Sequence, residues 1–184
     1  MKTICINLLC LCFLSMSTLF GQVTPVNLDT VETIQGFRNI YRYQNFYLGA
    51  QPSYEAIQWL KSKGVSIIIN LRSTKENQDF TLASFNEESV AAQMDLKYHS
   101  IPVDGFKDYT PAKLDEMAAL LMGDKPVFIH CAGAVRVTYF FMAYLIKYQN
   151  YEIDEATEIG KKLTFSFPLE NLLDRKISMK TVPE

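Results

Sequence analysis

The sequence is poor in cysteine and histidine, and this shortage excludes several classes of site. Four cysteines occur in 184 residues, and three of them, Cys5, Cys10 and Cys12, lie near the N-terminus. The only histidines are His99 and His130, and we interpret His99 as a structural residue of a strand. A zinc site needs about four nitrogen, sulfur or carboxylate ligands held together. We therefore expect no metal ion, and we expect no cofactor.

An excess of basic residues is also lacking. The chain has 18 Lys and Arg against 20 Asp and Glu, which gives a formal net charge of −2. A mildly acidic chain without basic clusters is a poor partner for nucleic acid or for an anionic membrane surface. Binding of an anionic substrate must therefore depend on a few local groups.

No apolar run is long enough to span a membrane, but a shorter one begins the chain. Lys2 precedes the apolar run Ile4–Leu14, and small residues follow at Ser17 and Gly21. This arrangement is typical of a secretory signal peptide, whereas a membrane span needs about 20 apolar residues. A buried N-terminal helix is the alternative.

The N-terminal pattern predicts the domain organisation and the location. We predict a signal peptide at 1–21 and a single domain at 22–184, exported to the periplasm or secreted, without stable membrane insertion after cleavage. Removal of the signal peptide leaves Cys131 as the only cysteine. A single cysteine in an exported protein indicates a reactive or intermolecular thiol, although a buried inert cysteine is the alternative.

Strand-like and helix-like segments alternate along the rest of the chain. We predict strands at 46–49, 65–71, 97–103 and 126–129, and helices at 28–36, 53–63, 82–94, 110–123, 135–148, 154–163 and 168–176. This alternation predicts an α/β fold with a central, mostly parallel sheet of four to five strands flanked by helices. Ligands of such sheets bind beyond the carboxyl ends of the strands.

One strand end carries an arrangement suited to anion chemistry. The strand that ends at Ile129 is followed by His130, Cys131, a loop of small residues, Arg136 and a long apolar helix. Backbone N–H groups at the start of that helix attract an anion and favour a thiolate. Arg136 adds a permanent positive charge, and we expect His130 to orient the loop. The predicted phosphate-binding residues are His130, Ala132, Gly133, Ala134, Val135 and Arg136.

Carboxylates on nearby loops are candidates for a general acid. Asp104 follows a predicted strand and precedes the flexible Gly105, and Asp108 is the alternative, unless both merely solvate the loop. Arg72 and Glu76 follow the strand at 65–71, where they border the same site or form an ordinary surface ion pair.

These residues resemble a known family. His130-Cys131 with Arg136 is similar to the signature of cysteine-dependent protein tyrosine and dual-specificity phosphatases. The segments at 47–52, 64–72 and 101–103 resemble the bacterial beta-lactamase hydrolase-like phosphatase branch. The resemblance covers roughly residues 40–165.

The resemblance implies a function and a fold. It implies a protein tyrosine phosphatase-like three-layer fold and a phosphocysteine mechanism. It also implies that Cys131 is the nucleophile, Arg136 the phosphate clamp and Asp104 the acid, with a phosphorylated protein or a small phosphomonoester as substrate.

Two departures from the phosphatase pattern keep other functions open. Only four residues separate Cys131 from Arg136, whereas phosphatases usually have five. The shorter loop is similar in size to that of rhodanese sulfurtransferases, which carry a persulfide on their cysteine. Val137 stands where a Ser or Thr hydroxyl is usual, and we expect the hydroxyl of Thr138 to point elsewhere. A non-catalytic phosphate-binding domain is therefore the third reading. Asp104 favours the phosphatase, because a sulfur carrier needs no acid for a leaving group.

Overall fold

The computed structural model describes residues 31–81, 83–165 and 180. The predicted signal peptide and the predicted helix at 168–176 lie outside the described residues. None of the described helices combines the length and the apolar composition that a membrane span requires.

The centre of the structure is one six-stranded sheet. Its strands are β1 (Glu32–Thr33), β2 (Ile40–Tyr43), β3 (Phe46–Gly49), β4 (Ile67–Asn70), β5 (Lys97–Ser100) and β6 (Val127–His130), in the spatial order β1-β2-β3-β6-β4-β5. The pairs β1/β2 and β2/β3 are antiparallel, whereas β3/β6, β6/β4 and β4/β5 are parallel. The prediction of a mostly parallel α/β sheet is confirmed, with six strands instead of four to five.

The additional strands lie in the segment that we expected to be a polar lead-in. The predicted helix at 28–36 is wrong in its described part, because Glu32–Thr33 forms β1 and turns follow. In β2, Ile40 and Tyr43 are buried while Arg42 is exposed. Both strands are short, and pairing with their neighbours decides their conformation.

Helices cover both faces of the sheet. They are α1 (Tyr54–Ser62), α2 (Thr74–Asn77), α3 (Glu87–Gln93), α4 (Pro111–Leu120), α5 (Val135–Gln149) and α6 (Ile153–Leu163), with a short 3₁₀ helix at Phe106–Asp108. The helix predicted at 82–94 begins only at Glu87, because the side chain of Asn86 caps it by accepting a hydrogen bond from the Ser89 N–H at 2.8 Å.

The apolar core consists of one cluster on each face of the sheet. Residues of α1 and α3, including Ile57 and Val90, pack against Phe128 of β6. Residues of α4, α5 and α6, including Met117 and Phe141, pack on the opposite face. All four residues of β6 are buried. Burial of each large apolar side chain contributes about 2 kcal/mol, so β6 is a rigid support for the loop that follows it.

Candidate active site

Three neighbouring strands end at the same edge of the sheet. His130 at the end of β6 pairs with Gly49 at the end of β3 and with Asn70 at the end of β4. The next residues continue this pairing, since the Cys131 N–H donates to the Gly49 carbonyl at 3.2 Å and the Leu71 N–H donates to the His130 carbonyl at 2.8 Å. The position of Cys131 is therefore fixed from both sides.

The loop after Cys131 turns back towards β3 before α5 begins. Gly133 forms an isolated antiparallel bridge with Ala50, and the Gln51 N–H donates to the Ala132 carbonyl at 3.3 Å. The positive φ of this loop, 74°, lies at Ala134 and not at Gly133. The first-turn N–H groups of α5 have no acceptor within the helix, and they lie at its positive end. The loop is therefore suited to binding an oxyanion.

Cys131 lies at the base of this loop. Its side chain is 1% exposed and belongs to the apolar cluster beneath α5. Among the described residues it is the one cysteine, and it forms no disulfide. It lies close enough to Arg136 to affect the pKa of that residue. Burial alone would lower the pKa of Arg136, but a hydrogen bond to Glu76 and the charge of Cys131 raise it.

Arg136 lies in the first turn of α5 and is held by three acceptors. Its Nη1 donates to the carbonyls of Leu71 at 3.1 Å and Val103 at 3.0 Å. Its Nη2 lies 2.5 Å from Oε1 of Glu76. The guanidinium is therefore oriented by the residues that follow β4 and by the segment after β5.

Glu76 is fixed in turn by its own helix. Its Oε2 accepts a hydrogen bond from the Ser73 N–H at 2.7 Å, and the Ser73 hydroxyl accepts one from the Glu76 N–H at 3.1 Å. Partial burial by itself would raise the pKa of Glu76, but the hydrogen bonds from Arg136 and Ser73 outweigh it and lower this pKa to about 2. The sequence left open whether Glu76 pairs with Arg72 at the surface; in the structure its carboxylate pairs with Arg136 instead, and Arg72 contacts only its backbone carbonyl.

A buried polar network lies on the opposite face of the sheet. The imidazole of His130 is fully buried and stacked on Phe128, and its Nε2 lies 2.9 Å from Oε1 of Glu87. The Gln51 amide donates to Oε2 of Glu87 at 3.0 Å, and its oxygen accepts from Nη1 of Arg72 at 2.8 Å. Burial by itself would raise the pKa of Glu87, but the charge of His130 and these hydrogen bonds lower it.

This network connects His130, at the end of β6, to the guanidinium of Arg136. Arg72 is buried, and its Nη2 donates to the backbone carbonyl of Glu76. Glu76 in turn binds Arg136 through its carboxylate. A continuous set of polar contacts therefore runs from His130 beneath the loop to the guanidinium above it. No local pattern in the sequence indicated the role of Gln51.

The two candidate acids differ in their surroundings. Oδ2 of Asp108 accepts a hydrogen bond from the Asp104 N–H at 2.7 Å and lies 3.1 Å from Nζ of Lys113. Lys113 also donates to the Pro102 carbonyl. These contacts, the hydrogen bond from Asp104 first, lower the pKa of Asp108. Asp108 therefore braces the loop, while Asp104 lines a cavity with Arg136.

That cavity lies beside Arg136 and has a volume of about 480 Å³. Glu76, Asp104, Phe106, Tyr109 and Arg136 contribute to its wall. The sequence had singled out three of these residues. It missed the two aromatic ones, whose only signal was their position shortly after the candidate acid.

Comparison with known proteins identifies the family. The family model described as "DSP-PTPase phosphatase fused to NAD+ Kinase" matches residues 17–168. Among curated proteins, none matches this chain.

Solved structures share the fold. TpbA of P. aeruginosa in complex with phosphotyrosine is similar with a TM-score of 0.57 and 18% identity, covering 75% of this chain and 80% of that one. A DUF442 protein of Shewanella putrefaciens has a TM-score of 0.57 and 21% identity, covering 76% and 90%. The catalytic domain of SIW14 of S. cerevisiae, a PP-IP phosphatase, has a TM-score of 0.54 and 16% identity, covering 74% and 83%.

The family match covers most of the chain, and the mixed sheet flanked by helices agrees with it. The resemblance to cysteine-dependent protein tyrosine and dual-specificity phosphatases is therefore confirmed. The chain belongs to the DSP-PTPase family, and it is a cysteine-dependent phosphatase.

Proposed function

We propose that this protein hydrolyses phosphomonoesters through a phosphocysteine intermediate on Cys131. The observation that carries this proposal is the placement of Cys131 directly after β6 and at the start of the short loop that leads into α5, with the guanidinium of Arg136, in the first turn of α5, held by Glu76. A thiol, a helix N-terminus and a fixed guanidinium together favour a thiolate facing a bound phosphate.

The reaction has two steps. In the first, the Cys131 thiolate attacks phosphorus, the bond to the leaving oxygen breaks, and Asp104 gives this oxygen its proton. In the second, water attacks phosphorus and returns its proton to Asp104, and the phosphorus–sulfur bond breaks with the electron pair staying on sulfur. Arg136 and the loop N–H groups offset the negative charge of the phosphoryl oxygens in both steps.

Asp104 fits the role of the acid better than Asp108 does. A general acid must present a free carboxyl group to the leaving oxygen. The carboxylate of Asp108 is already occupied, because it accepts a hydrogen bond from the Asp104 N–H and lies beside Lys113. Asp104 lines the cavity into which Arg136 points.

The four-residue loop favours sulfur transfer as the second candidate. In that reading the Cys131 thiolate attacks the outer sulfur of a donor such as thiosulfate, and sulfite leaves with the electron pair of the broken sulfur–sulfur bond. Cyanide then takes the outer sulfur of the persulfide as thiocyanate, and the thiolate is restored. The third candidate is a domain that binds phosphate without turnover, which the apolar Val137 favours.

One set of assays separates the three candidates. Purified protein is incubated with p-nitrophenyl phosphate and, separately, with thiosulfate plus cyanide. We expect phosphate release that Cys131→Ser and Arg136→Ala abolish and that Asp104→Asn reduces. Formation of thiocyanate alone would establish sulfur transfer, and the absence of both products would leave phosphate binding.

The apolar N-terminal segment supports a location for this activity. We propose that residues 1–21 direct export and are then removed, so that the enzyme acts on phosphomonoesters in the periplasm or outside the cell. Sequencing the N-terminus of the exported protein tests this. A mature chain that begins at residue 22 or at residue 18 supports export, and an intact Met1 in the cytoplasm contradicts it.

A further inference from the structure

Gln51 lies where the loop before α5 and the buried polar network meet. Its backbone N–H donates to the Ala132 carbonyl of that loop at 3.3 Å. Its side-chain oxygen accepts a hydrogen bond from Nη1 of Arg72 at 2.8 Å, and its side-chain nitrogen donates to Oε2 of Glu87 at 3.0 Å. One residue therefore contacts both the loop and two charged residues of the network.

The backbone contact fixes the direction of one peptide group in the loop. The Ala132 carbonyl is directed towards Gln51, and the peptide bond that joins Ala132 to Gly133 is trans. In a planar trans peptide the N–H points opposite to the carbonyl. The N–H of Gly133 therefore points away from Gln51, and backbone N–H groups oriented together in a loop bind oxyanions.

The side-chain oxygen of Gln51 matters because its partner is buried. Arg72 is only 4% exposed, and its other terminal nitrogen, Nη2, donates to the backbone carbonyl of Glu76. Water has little access to Arg72, and a buried donor without an acceptor is costly. Without the Gln51 oxygen, the guanidinium of Arg72 must turn to another acceptor, and this movement disturbs its contact with Glu76.

The position of Glu76 depends on such polar contacts. Its helix, α2, has four residues and none of them is buried, so apolar packing does not place it. A single helical turn is also unstable by itself. The contacts that hold α2 include the bond from Arg72 to the Glu76 carbonyl and one from Asn70 to Asn77 at 2.9 Å. A shift of Arg72 therefore moves the carboxylate that orients Arg136.

We propose that Gln51 is a positioning residue for anion binding. Its side-chain oxygen holds Arg72, which holds α2, and α2 presents the Glu76 carboxylate to Arg136. The inference rests on the proposed function, in which the bound anion is the phosphoryl group of the substrate. Gln51 transfers no proton and acts only through these contacts, while its side-chain nitrogen serves the buried Glu87.

Three variants separate positioning from stability. Gln51→Met keeps the length of the side chain but removes both polar groups. Gln51→Glu keeps an oxygen for Arg72, loses the donor to Glu87 and places two carboxylates side by side. Gln93→Met makes the first change at an exposed residue at the end of α3 and is the control. Each protein is titrated with tungstate, a tetrahedral oxyanion, by calorimetry, and its melting temperature is measured.

Affinity and stability are expected to separate in these variants. Gln51→Met should bind tungstate about fivefold more weakly than the wild type, because Arg72 loses an acceptor. Gln51→Glu should bind within about twofold of the wild type, because a carboxylate accepts from a guanidinium at least as well as an amide does. Its melting temperature should nevertheless fall, since two neighbouring carboxylates repel each other. Gln93→Met should match the wild type in both measurements.

A double-mutant cycle tests the route of the effect. When Glu76→Gln has already weakened the contact to Arg136, adding Gln51→Met should weaken tungstate binding by less than about twofold. When Gln51→Met is instead combined with the distant Glu158→Gln, the full fivefold loss should remain.

Unchanged tungstate affinity in Gln51→Met would overturn the inference, as would binding by Gln51→Glu that is as weak as that of Gln51→Met. A full fivefold loss in the Glu76→Gln background would overturn it too. Gln51→Asn, which is one methylene shorter, replaces Gln51→Met if that variant does not fold, and the double-mutant cycle decides if Gln51→Glu does not fold.

Tungstate binding needs no turnover, so it decides the inference separately from the proposed function. A wild type that binds tungstate but releases no phosphate from p-nitrophenyl phosphate would contradict the proposed function, and the affinities of the Gln51 variants would still decide the inference.

Discussion

Oε1 of Glu76 lies 2.5 Å from Nη2 of Arg136, although the two residues are 60 positions apart in the sequence. The same guanidinium also donates to the carbonyls of Leu71 and Val103, so its plane is fixed before any anion arrives. A fixed clamp binds a tetrahedral anion without losing the entropy of a long, free side chain.

Glu76→Gln is expected to weaken binding of the phosphate analogue vanadate by about tenfold, because a charge-assisted contact to Arg136 becomes a neutral one. Inhibition constants for vanadate measure this loss. Glu158→Gln, which disturbs an exposed pair with Lys161, is the control and should bind as the wild type does. Equal binding in all three proteins would show that Glu76 does not orient the clamp.

The pH dependence of stability follows from the same carboxyl. Its pKa is about 2 in the folded protein against 4.5 for the free side chain. A lowered pKa contributes stability above pH 4.5, and this contribution disappears as the pH falls towards 2. The wild type should therefore be more stable than Glu76→Gln at neutral pH, and urea unfolding should show the difference narrowing between pH 4.5 and 2. A difference that grows on acidification would contradict this assignment.

The two candidate acids should respond differently to the leaving group. Asp104→Asn is expected to reduce hydrolysis of an alkyl phosphate about 100-fold, and that of p-nitrophenyl phosphate much less, because nitrophenolate leaves without a proton. Asp108→Asn should reduce both rates by a similar, smaller factor, since it only loosens the brace to Lys113. Rates for the two substrates measure this. If only Asp108→Asn slowed the alkyl phosphate more than p-nitrophenyl phosphate, Asp108 would be the general acid and Asp104 would not.

The buried pair of His130 and Glu87 is expected to contribute strongly to stability. Glu87→Gln removes the carboxylate beside Nε2 of His130 in a fully buried position, and a buried polar group left without its partner costs about 2 kcal/mol. Urea unfolding at neutral pH measures this cost. Glu88→Gln changes an exposed carboxylate one residue along α3 and should change stability by less than about 0.5 kcal/mol. Equal stability of the two variants would show that the pair is not formed.

The positive φ at Ala134 predicts a stabilising substitution. A non-glycine residue in this conformation costs about 1 kcal/mol, so Ala134→Gly should raise the free energy of unfolding by up to about that amount. Gly133→Ala is the control, since its added Cβ meets nothing within 4 Å and its φ is not positive. A loss of stability in Ala134→Gly, measured by urea unfolding, would contradict the conformation of this loop.

The sequence predicted the parts of the site that are contiguous in the chain. The strand, the thiol, the loop and Arg136 lie within ten residues, and strand and helix periodicity alone places them at the edge of a parallel sheet. Asp104 was predicted in the same way, because it follows a strand that ends at that edge.

The residues that reach the site from distant segments of the chain could not be predicted from a local sequence pattern. Glu87 and Gln51 join His130 only because α3 and the segment after β3 meet beneath the loop. Tyr109 likewise reaches the site through its packing on α5. Such contacts depend on tertiary structure, and no spacing along the chain indicates them.

Rapid acid quenching during turnover, followed by mass analysis of the peptide that contains Cys131, detects the phosphocysteine intermediate itself. We expect one phosphoryl group on this peptide in the wild type and in Asp104→Asn, and none in Cys131→Ser, which should release no phosphate. Phosphate release that continues in Cys131→Ser, or turnover without any phosphoryl group on that peptide, would contradict the phosphocysteine mechanism.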